Sequence, residues 1–353
     1  MKILFGVLDW GLGHATRDIP LIEGLLSRSH SVDIVSAGRA LKVLKEKFGG
    51  RCNYYDVASL YVPQIYSNYF ILECAMNLHK MAASILQARK EINKIIKKGK
   101  YDWIVSDNRF ELYDKPSNSI MIMHTFNFDN HLLKYPITKV MEFVAKPYGI
   151  LVVPDFPKKG IADVMSQNKN IHNKEVHYIG ILSQIRKKHY KKNIDYFISL
   201  SGPEPQRTIL EQKLIKQCVK IKGNIVIAGA NPDVNKTENI GKNIKFYSFL
   251  NNQYQEEMMN RAKFIITRSG FTTTANMIEL GKRKALLIPC PGQPEQEYLA
   301  DLYERKKYFH HVHQDDINLE KDIKAAMKGF KGYRPLWKTK KSVKKFLKII
   351  EKR

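Results

Sequence analysis

Apolar residues in this chain follow two patterns: short unbroken runs, and longer segments in which they recur every three or four positions. Residues 3–8 (ILFGVL) form an unbroken run that predicts a buried β-strand. Residues 16–29 place apolar side chains on one face of a helix, and residues 31–36 (SVDIVS) predict the next strand. Strands that alternate with amphipathic helices are typical of an α/β protein with a parallel sheet.

The same alternation continues along the rest of the chain. Amphipathic helices are predicted over 76–98 and in the C-terminal tail, where the apolar residues from Val343 to Ile350 lie on one helix face. Between 39 and 70 the periodicity is poor and aromatic residues are frequent, which predicts either a loop-rich segment or aromatic packing in a core. Further strands are predicted at 102–105, 119–123, 149–153, 196–200, 224–228, 244–249, 264–267 and 285–288.

The length of 353 residues predicts two domains. The charge run RKKHYKKN at 186–193 has little apolar pattern, as an interdomain linker does. We therefore predict an N-terminal domain at 1–183, a linker at 184–193, a C-terminal domain at 194–330 and a basic amphipathic helix at 331–353.

The net charge is strongly positive, +25 at pH 7. Such a charge favours a polyanionic partner, either nucleic acid or an anionic membrane surface, although a lysine-rich composition without a functional basic face explains it equally well. No apolar run approaches the roughly 18–20 residues that span a bilayer, so we expect any membrane contact to be peripheral. The four cysteines have no metal-ligand spacing and no signal peptide is visible, which predicts a cytoplasmic protein, or one held peripherally at the inner face of the membrane.

The first predicted turn, DWGLGH at 9–14, is rich in glycine and ends in a histidine. It lacks the third glycine of the dinucleotide fingerprint, and no acidic residue closes the second strand, so we exclude NAD binding. His14 lies at the predicted start of a helix, where the helix dipole and partial burial keep an imidazole neutral and able to accept a proton. From these residues alone, a histidine that caps the loop is the simpler interpretation.

Residues 263–303 contain two strand–turn–helix units. Ser269 and Gly270 form a turn after one strand, and the loop PCPGQP at 289–294 follows the next. In a parallel sheet both turns fall at the carboxyl ends of strands, where glycine lets the backbone approach a phosphate and the next helix offers N–H groups to it. Polar groups suited to phosphate and sugar hydroxyls follow in Thr272, Thr273, Thr274, Gln293, Glu295 and Gln296. The pattern indicates a nucleotide-sugar site.

The motifs RSGFTT at 268–273 and IPCPGQPEQEYLA at 288–300 resemble the C-terminal signature of glycosyltransferase family 28. That family includes the N-acetylglucosaminyltransferase that makes lipid II and the diacylglycerol glycosyltransferases. The resemblance implies an α/β protein with the GT-B fold, in which two Rossmann-like, doubly wound parallel-sheet domains face a central cleft and the C-terminal helix returns to the N-terminal domain. It also implies a UDP-sugar donor and transfer with inversion of configuration.

The resemblance further implies which residues hold the donor. The motif SGPEPQR at 201–207 is similar to the family's diphosphate loop, where Arg207 would neutralise the leaving group. Asn276 stands where the family has a glutamate that binds the ribose, and Leu250 follows the strand whose backbone reads the base. The implied donor-binding residues are Gly13, Ser201, Gly202, Arg207, Leu250, Ser269, Gly270, Thr273, Asn276, Gln293, Glu295 and Gln296.

The N-terminal motif of the family also ends in Gly-His, which implies that His14 is the general base toward the acceptor hydroxyl. Asp107 ends a predicted strand, and in plant-type GT-B glycosyltransferases an aspartate in such a place orients the catalytic histidine. We predict that role for Asp107, with capping of the following segment as the alternative and His124 as a rival base.

These inferences predict an inverting hexosyltransferase that uses no cofactor and, since the chain has no Asp-x-Asp, no metal. Its partners would be a nucleotide-sugar donor and an acceptor hydroxyl, with lipid-linked acceptors among the candidates. Two other classes stay open: a sugar-nucleotide epimerase or hydrolase of the same fold, and a basic nucleic-acid-binding protein, whose affinity would depend strongly on salt. We rank nucleic acid last because no RNA-binding motif is present.

Overall fold

The computed structural model describes residues 1–61, 76–127, 134–168, 171, 174–231, 234 and 236–352, with 134–138 described by their backbone. Within these ranges the chain divides into two compact units: unit 1 holds residues up to 184 together with 336–352, and unit 2 holds 185–335. The predicted aromatic segment extends past Tyr61 into residues that lie outside the described ones, among them Tyr66, Tyr69 and Phe70.

Unit 1 is built on a parallel sheet with the strand order β3-β2-β1-β4-β5-β6-β7. Its strands are β1 (Lys2–Val7), β2 (Ser31–Ser36), β3 (Asn53–Asp56), β4 (Trp103–Asp107), β5 (Ser119–Ile122), β6 (Ile150–Val153) and β7 (Glu175–Tyr178). The helices between them are α1 (Leu12–Ser27), α2 (Gly38–Phe48), α3 (Leu78–Gly99) and α4 (Lys134–Ala145), with short 3-10 turns at Gly49–Arg51, Pro116–Asn118 and Asp163–Ser166.

Unit 2 repeats the plan with the order β10-β11-β9-β8-β12-β13-β14, in which β10 runs antiparallel to its neighbour. Its strands are β8 (Ile194–Ser199), β9 (Ile225–Ala228), β10 (Thr237–Ile240), β11 (Ile244–Tyr247), β12 (Ala262–Thr267), β13 (Ala285–Leu287) and β14 (His310–His311). Its helices are α5 (Gln206–Cys218), α6 (Asn252–Arg261), α7 (Phe271–Glu279), α8 (Pro294–Arg305) and α9 (Leu319–Met327).

The central strand β1 is covered on both faces, which explains why its apolar run is unbroken. Ile3 and Phe5 point into a core formed with α1 and α2, whereas Leu4 points into a second core formed with Ala88 and Ile92 of α3. A strand buried on both faces has no solvent side, so it needs no polar alternation. The predicted α/β class and doubly wound sheets are confirmed.

The last helix, α10 (Thr339–Glu351), belongs to the core of unit 1. Phe346 and Ile350 are fully buried, and the indole N–H of Trp103 donates to the carbonyl oxygen of Ile350 at 3.1 Å. The backbone N–H of Ser183 donates to Oγ1 of Thr339 at 3.1 Å, where the helix begins. The expectation that the C-terminal helix returns to the N-terminal domain is confirmed.

The close approach of α1 and α10 depends on Gly24. A Cβ atom at Gly24 would lie 2.5 Å from Cγ1 of Val343, which is closer than two carbon atoms pack. We expect Gly24→Val to lower the free energy of unfolding by about 2–3 kcal/mol, since the added methyl groups force the two helices apart. Urea denaturation measures the loss. The double variant Gly24→Val, Val343→Ala should recover part of it, and a double variant as unstable as the single one would contradict this packing.

The segment from 39 to 61 does not follow the first of its two predicted alternatives, a loop-rich segment. It forms α2 and β3 instead of a loop, because Ala40, Leu41, Leu44 and Phe48 recur at helical spacing and are buried against the sheet. The aromatic residues that follow are only partly involved in packing: Tyr54 is half-buried in β3, while Tyr61 is 44% exposed.

Candidate active site

The carboxyl ends of β1 and β4 lie side by side in unit 1, where Val7 is paired with Asp107. The strand order reverses between them, since β2 and β3 extend the sheet on one side and β5 to β7 extend it on the other. Such a reversal leaves a crevice at the carboxyl ends of the two strands, and open α/β sheets bind their ligands there. The structure brings the two predicted catalytic residues to this point: Asp107 ends β4, and His14 lies in the first turn of α1.

His14 and Asp107 form a hydrogen-bonded pair. Nδ1 of His14 is 2.8 Å from Oδ2 of Asp107. An ionised carboxylate only accepts, so Nδ1 carries the proton and Nε2 is left as the acceptor. The carboxylate is fully buried, while the imidazole is 21% exposed. The pair therefore holds a histidine in the tautomer that can take a proton at its outer nitrogen.

Arg17 completes the cluster, and the sequence analysis missed it. Its Nε donates to Oδ2 of Asp107 at 3.1 Å, its Nη2 donates to Oδ1, and its Nη1 donates to Nδ1 of His124 at 2.9 Å. Arg17 follows His14 by three positions, so the two lie on the same helix face, and that spacing is the signal that could have found it. His124, the rival base, is buried and has Nδ1 occupied, which leaves His14 the more accessible histidine.

Asp107 is kept ionised by its charged neighbours, and His14 is kept neutral mainly by burial. Burial alone would raise the pKa of Asp107, but the guanidinium of Arg17 and the contact with His14 hold it well below its usual range. Burial lowers the pKa of His14 from its ordinary value of 6.5; Asp107 opposes that shift, and Arg17 adds to it. At neutral pH the imidazole is therefore unprotonated, as a general base must be.

Asp18, beside Arg17, is fully buried, and neither of its carboxyl oxygens has a hydrogen-bond partner among the residues that the structure describes. Burial and the repulsion of Asp107 raise its pKa well above the ordinary value, so the folded protein holds its proton more tightly than the unfolded chain does. The folded state then loses stability as the pH rises above about 4, the pKa range of an unfolded aspartate.

We expect Asp18→Asn, which keeps the shape of the protonated acid, to raise the free energy of unfolding at pH 7.5. The gain should shrink as the pH falls and vanish near pH 4, where Asp18 is protonated in both states. Urea denaturation of both proteins at several pH values measures the difference. A gain that does not change with pH would show that the charge of Asp18 is not its source.

In unit 2, three loops meet at the carboxyl edge of the sheet, because they follow the adjacent strands β8, β12 and β13. The sheet order reverses between β8 and β12, as it does in unit 1. The loop after β8 contains Ser201 and Gly202, the loop after β12 contains Ser269 and Gly270, and each leads into a helix N-terminus. The structure thus brings the predicted diphosphate-binding residues to one edge of one sheet.

The two glycines leave space for a ligand to approach. Gly202 is exposed and has a φ of +110°, a conformation that side chains rarely allow. Gly270 precedes α7, no side chain caps that helix, and nothing lies within 4 Å of the position that a Cβ would occupy. An uncapped helix N-terminus behind an open glycine is suited to an anion.

Arg268 connects the three loops through hydrogen bonds from the interior of unit 2. The sequence analysis did not assign this role to it. The residue is 1% exposed. Its guanidinium donates to the carbonyl oxygens of Ser201 (3.2 Å), Gln206 (3.1 Å), Ile288 (3.4 Å) and Pro289 (3.0 Å) and to Oε1 of Gln314 (2.7 Å). Burial lowers its pKa from the ordinary value, and the neighbouring Cys290 opposes that shift.

Two of the predicted donor-binding side chains hold the loops instead of facing outward. Oγ of the buried Ser269 donates to the carbonyl oxygen of Gln296 at 2.7 Å. Oε1 of Gln296 accepts from the backbone N–H of Cys290 at 3.1 Å, and its Nε2 donates to Oε1 of Gln293. These contacts fix the loop after β13 against the loop after β12.

Arg207 is placed differently from its prediction. It is buried, its Nε donates to Oε1 of Glu204 at 2.7 Å, and its Nη1 donates to Oε2 of Glu211 at 2.9 Å and to the carbonyl oxygen of Gly229 at 2.8 Å. Two carboxylates therefore compensate its charge inside unit 2. The prediction that Arg207 neutralises a diphosphate requires a cation without a carboxylate partner, and Arg207 is not one.

The remaining predicted residues lie along the same edges. Asn276 is 9% exposed in the second turn of α7, and Leu250 is half-buried just after β11. Half-buried positions are also occupied by Gly13, Thr273, Gln293 and Glu295.

No three His, Cys, Asp or Glu side chains in the described ranges are grouped so that they could hold a metal ion. None of the helices described has the length and apolar character that crossing a bilayer requires.

Two family models match the chain in succession. A model described as glycosyl transferase family 1 matches residues 1–131, and one described as the glycosyltransferase family 28 C-terminal domain matches residues 203–353. The resemblance to family 28 is thus confirmed in the C-terminal half, whereas the N-terminal half matches a family 1 model.

Known glycosyltransferases are similar to this chain in sequence or in fold. An uncharacterized glycosyltransferase of Methanosarcina mazei is 24% identical over 333 residues, which cover 87% of this chain and 84% of the relative. The crystal structure of MurG from Acinetobacter baumannii has a TM-score of 0.57 at 14% identity and covers 98% of this chain and 94% of its own. The spinosyn rhamnosyltransferase SpnG, complexed with thymidine diphosphate, has a TM-score of 0.61 at 12% identity, with 99% and 96% covered.

Proposed function

We propose that this protein, a glycosyltransferase of the GT-B fold with a family 28 C-terminal domain, transfers a sugar from a nucleoside diphosphate sugar to an acceptor hydroxyl with inversion of configuration. The observation that carries the proposal is the pair of His14 and Asp107, in which burial keeps the imidazole neutral and the carboxylate holds it in the tautomer whose Nε2 can accept a proton. A base in that state is what deprotonation of a hydroxyl requires.

In the proposed reaction the acceptor oxygen attacks the anomeric carbon from the side opposite the diphosphate. The bond from that carbon to the diphosphate oxygen breaks as the new glycosidic bond forms, and Nε2 of His14 takes the proton of the hydroxyl. The imidazolium that results lies against the carboxylate of Asp107, which stabilises it. One displacement at the anomeric carbon inverts its configuration.

The donor would bind at the carboxyl edge of unit 2. Its diphosphate would lie against the backbone at Gly202 and Gly270, where the N-termini of α5 and α7 stabilise the charge that grows on the leaving group. Thr273 is half-buried in the first turn of α7 and offers a hydroxyl donor there. Gln293 and Glu295, at the start of α8, would contact the sugar.

Asn276 affects which nucleotide the donor carries, because it stands at the predicted ribose-binding position. The family 28 pattern has a glutamate at this position for the two ribose hydroxyls, and an amide is a weaker partner for them because it carries no charge. SpnG, a neighbour in fold, was solved with thymidine diphosphate, whose sugar lacks the 2′-hydroxyl. UDP-sugars and dTDP-sugars are therefore both included as candidate donors.

A panel of nucleoside diphosphate sugars tests the proposal. A true donor should raise the melting temperature, since a ligand at 100 times its dissociation constant adds about 2.7 kcal/mol to the stability. Each stabilising donor is then incubated with and without simple glycoside and diacylglycerol acceptors, and the anomeric configuration of the product is read by NMR. Release of nucleotide or isomerisation of the sugar without any acceptor would favour a hydrolase or epimerase, and a retained configuration would refute the single displacement.

A lipid-linked acceptor and an anionic membrane surface belong to the same proposal. The supporting observation is the outer face of α10, where Lys340, Lys341, Lys344 and Lys348 are exposed while the apolar face is buried in unit 1. Flotation with vesicles of phosphatidylglycerol and of phosphatidylcholine tests it. Binding should require the anionic lipid and weaken with salt, and equal binding to both vesicles would contradict an electrostatic contact.

A further inference from the structure

We infer that Arg268 acts as an uncompensated buried cation beneath the donor site of unit 2, and that its charge makes the site selective for a diphosphate over an uncharged ligand. Arg268 is thus a positioning residue that acts through the loops it holds. The inference rests on the proposed function, because it concerns the same donor site.

The geometry places the guanidinium directly under the exposed backbone of the first loop. A Cβ on Gly202 would lie 3.7 Å from Nε of Arg268 and 3.7 Å from Sγ of Cys290, so the loops after β8, β12 and β13 all meet at this point. Gly270, two residues beyond Arg268, faces open space at the start of α7. A ligand lying on Gly202 would be separated from the guanidinium by the backbone of that loop.

Arg268 differs from the other buried arginines in the described chain in the partners of its charge. Each of those has a carboxylate partner, which is Asp107 for Arg17, Glu111 for Arg109 and Glu204 with Glu211 for Arg207. The partners of Arg268 are four carbonyl oxygens and one side-chain amide oxygen, all of them uncharged.

These five acceptors satisfy the hydrogen bonds of the guanidinium but leave its charge unbalanced. A buried charge without an opposite charge is unfavourable, so the empty site gains from an incoming anion. In a region of low dielectric constant the attraction also reaches farther than it does in water. The positive ends of the α5 and α7 dipoles act in the same direction. A nucleoside diphosphate supplies the missing negative charge, whereas a nucleoside does not.

Gln314 offers a way to cancel the charge without removing Arg268. Its Oε1 accepts from Nη2 of Arg268 at 2.7 Å, and it is 2% exposed. Gln314→Glu has the same size and would form a buried ion pair with Arg268. The five hydrogen bonds of the guanidinium are kept, the bond from Nε2 of Gln314 to Oε1 of Gln206 at 2.7 Å is lost, and the guanidinium is neutralised within the protein before any ligand arrives.

A control substitution of the same kind is available at the other end of α5. Gln217 is half-buried, its Oε1 accepts from the backbone N–H of Leu319 at 2.7 Å, and its Nε2 donates to the carbonyl oxygen of Ile317. Gln217 lies eleven positions after Gln206 along the helix, so Gln217→Glu adds the same charge roughly 16 Å from the loops.

The test compares the binding of UDP and dTDP with that of uridine and thymidine, by calorimetry for the diphosphates and by NMR titration for the nucleosides. We expect Gln314→Glu to weaken diphosphate binding by on the order of tenfold, to change nucleoside binding by less than about twofold and to leave the melting temperature unchanged or raised. Gln217→Glu should bind all four ligands like the wild type.

Four results would overturn the inference. If Gln314→Glu binds the diphosphates as tightly as the wild type, the charge of Arg268 is irrelevant to binding. If Gln314→Glu loses affinity for diphosphates and nucleosides equally, the effect of the substitution is purely structural. If Gln314→Glu does not fold, Arg268→Lys is tested in its place. This variant keeps the charge and should keep the ratio of diphosphate affinity to nucleoside affinity. A ratio that falls to that of an uncharged site would contradict the inference. A wild-type protein that binds neither diphosphate refutes the proposed function as well.

Discussion

Replacing His14 with alanine is expected to lower kcat for sugar transfer by about 10²- to 10⁴-fold, the usual contribution of a general base. The binding of the nucleoside diphosphate should not change, because the donor loops belong to unit 2 and His14 belongs to unit 1. The measurement is a transfer assay with the donor found in the panel, together with calorimetry of UDP and dTDP. Loss of diphosphate binding in His14→Ala, or a rate within tenfold of the wild type, would show that His14 is not the base.

The pH dependence of the wild type provides an independent check on His14. The imidazole must be neutral to act, and burial holds its pKa below 6.5. Transfer should therefore be fully active at pH 7 and fall on the acid side of pH 6.5, and this acid limb should be absent from the residual rate of His14→Ala. His177→Ala serves as the control, since His177 lies at the edge strand β7, paired with Glu175, and should leave the profile unchanged.

Asp107→Asn is expected to have two large effects, one on transfer and one on stability. An asparagine can donate from its amide to Nδ1 of His14, which moves the imidazole proton to Nε2 and removes the acceptor, so transfer should fall by on the order of 10⁴-fold. The same change leaves the buried guanidinium of Arg17 without its carboxylate. Breaking a buried ion pair in this way typically costs about 3–5 kcal/mol of unfolding free energy.

The double variant Arg17→Gln, Asp107→Asn separates the two effects. It removes both charges, so much of the lost stability should return in urea denaturation, while transfer stays low because the tautomer of His14 is still wrong. If the double variant regained transfer, the role of Asp107 would be electrostatic compensation of Arg17 and not orientation of the imidazole. If Asp107→Asn unfolded like the wild type, the ion pair seen here would not contribute to stability.

The sequence predicted the fold well because its strongest signals are local. Residues 3–7 of β1 and 264–266 of β12 form unbroken apolar runs, and buried parallel strands need no other pattern. The helix α2 was not predicted because the aromatic residues around it obscure the periodicity of four apolar residues at helical spacing. The match to family 1 in the N-terminal half was also not predicted, since that half carries a single short motif.

Only those residues of the candidate site whose position follows from the end of a strand could be predicted from the sequence. His14 and Asp107 could be named because each follows a strand, and in a parallel sheet the ends of neighbouring strands meet. The partners of a buried arginine depend on loops far apart in sequence, which no periodicity encodes. For this reason Arg207 was assigned a ligand although Glu204 and Glu211 already compensate it, while Arg268 was assigned no role.

Unit 1 is assembled from two distant parts of the chain, because α10 completes a core that β1 and α1 begin. During synthesis, the continuous unit 2 can therefore finish folding while the first 184 residues still wait for their closing helix, the reverse of the usual order in which the N-terminal domain folds first. A fragment that stops at 184 would expose the apolar surface that α10 covers and would be expected to aggregate or recruit chaperones. Expressing unit 1 alone should succeed only when residues 336–352 are supplied, either fused behind 184 or added as a separate peptide.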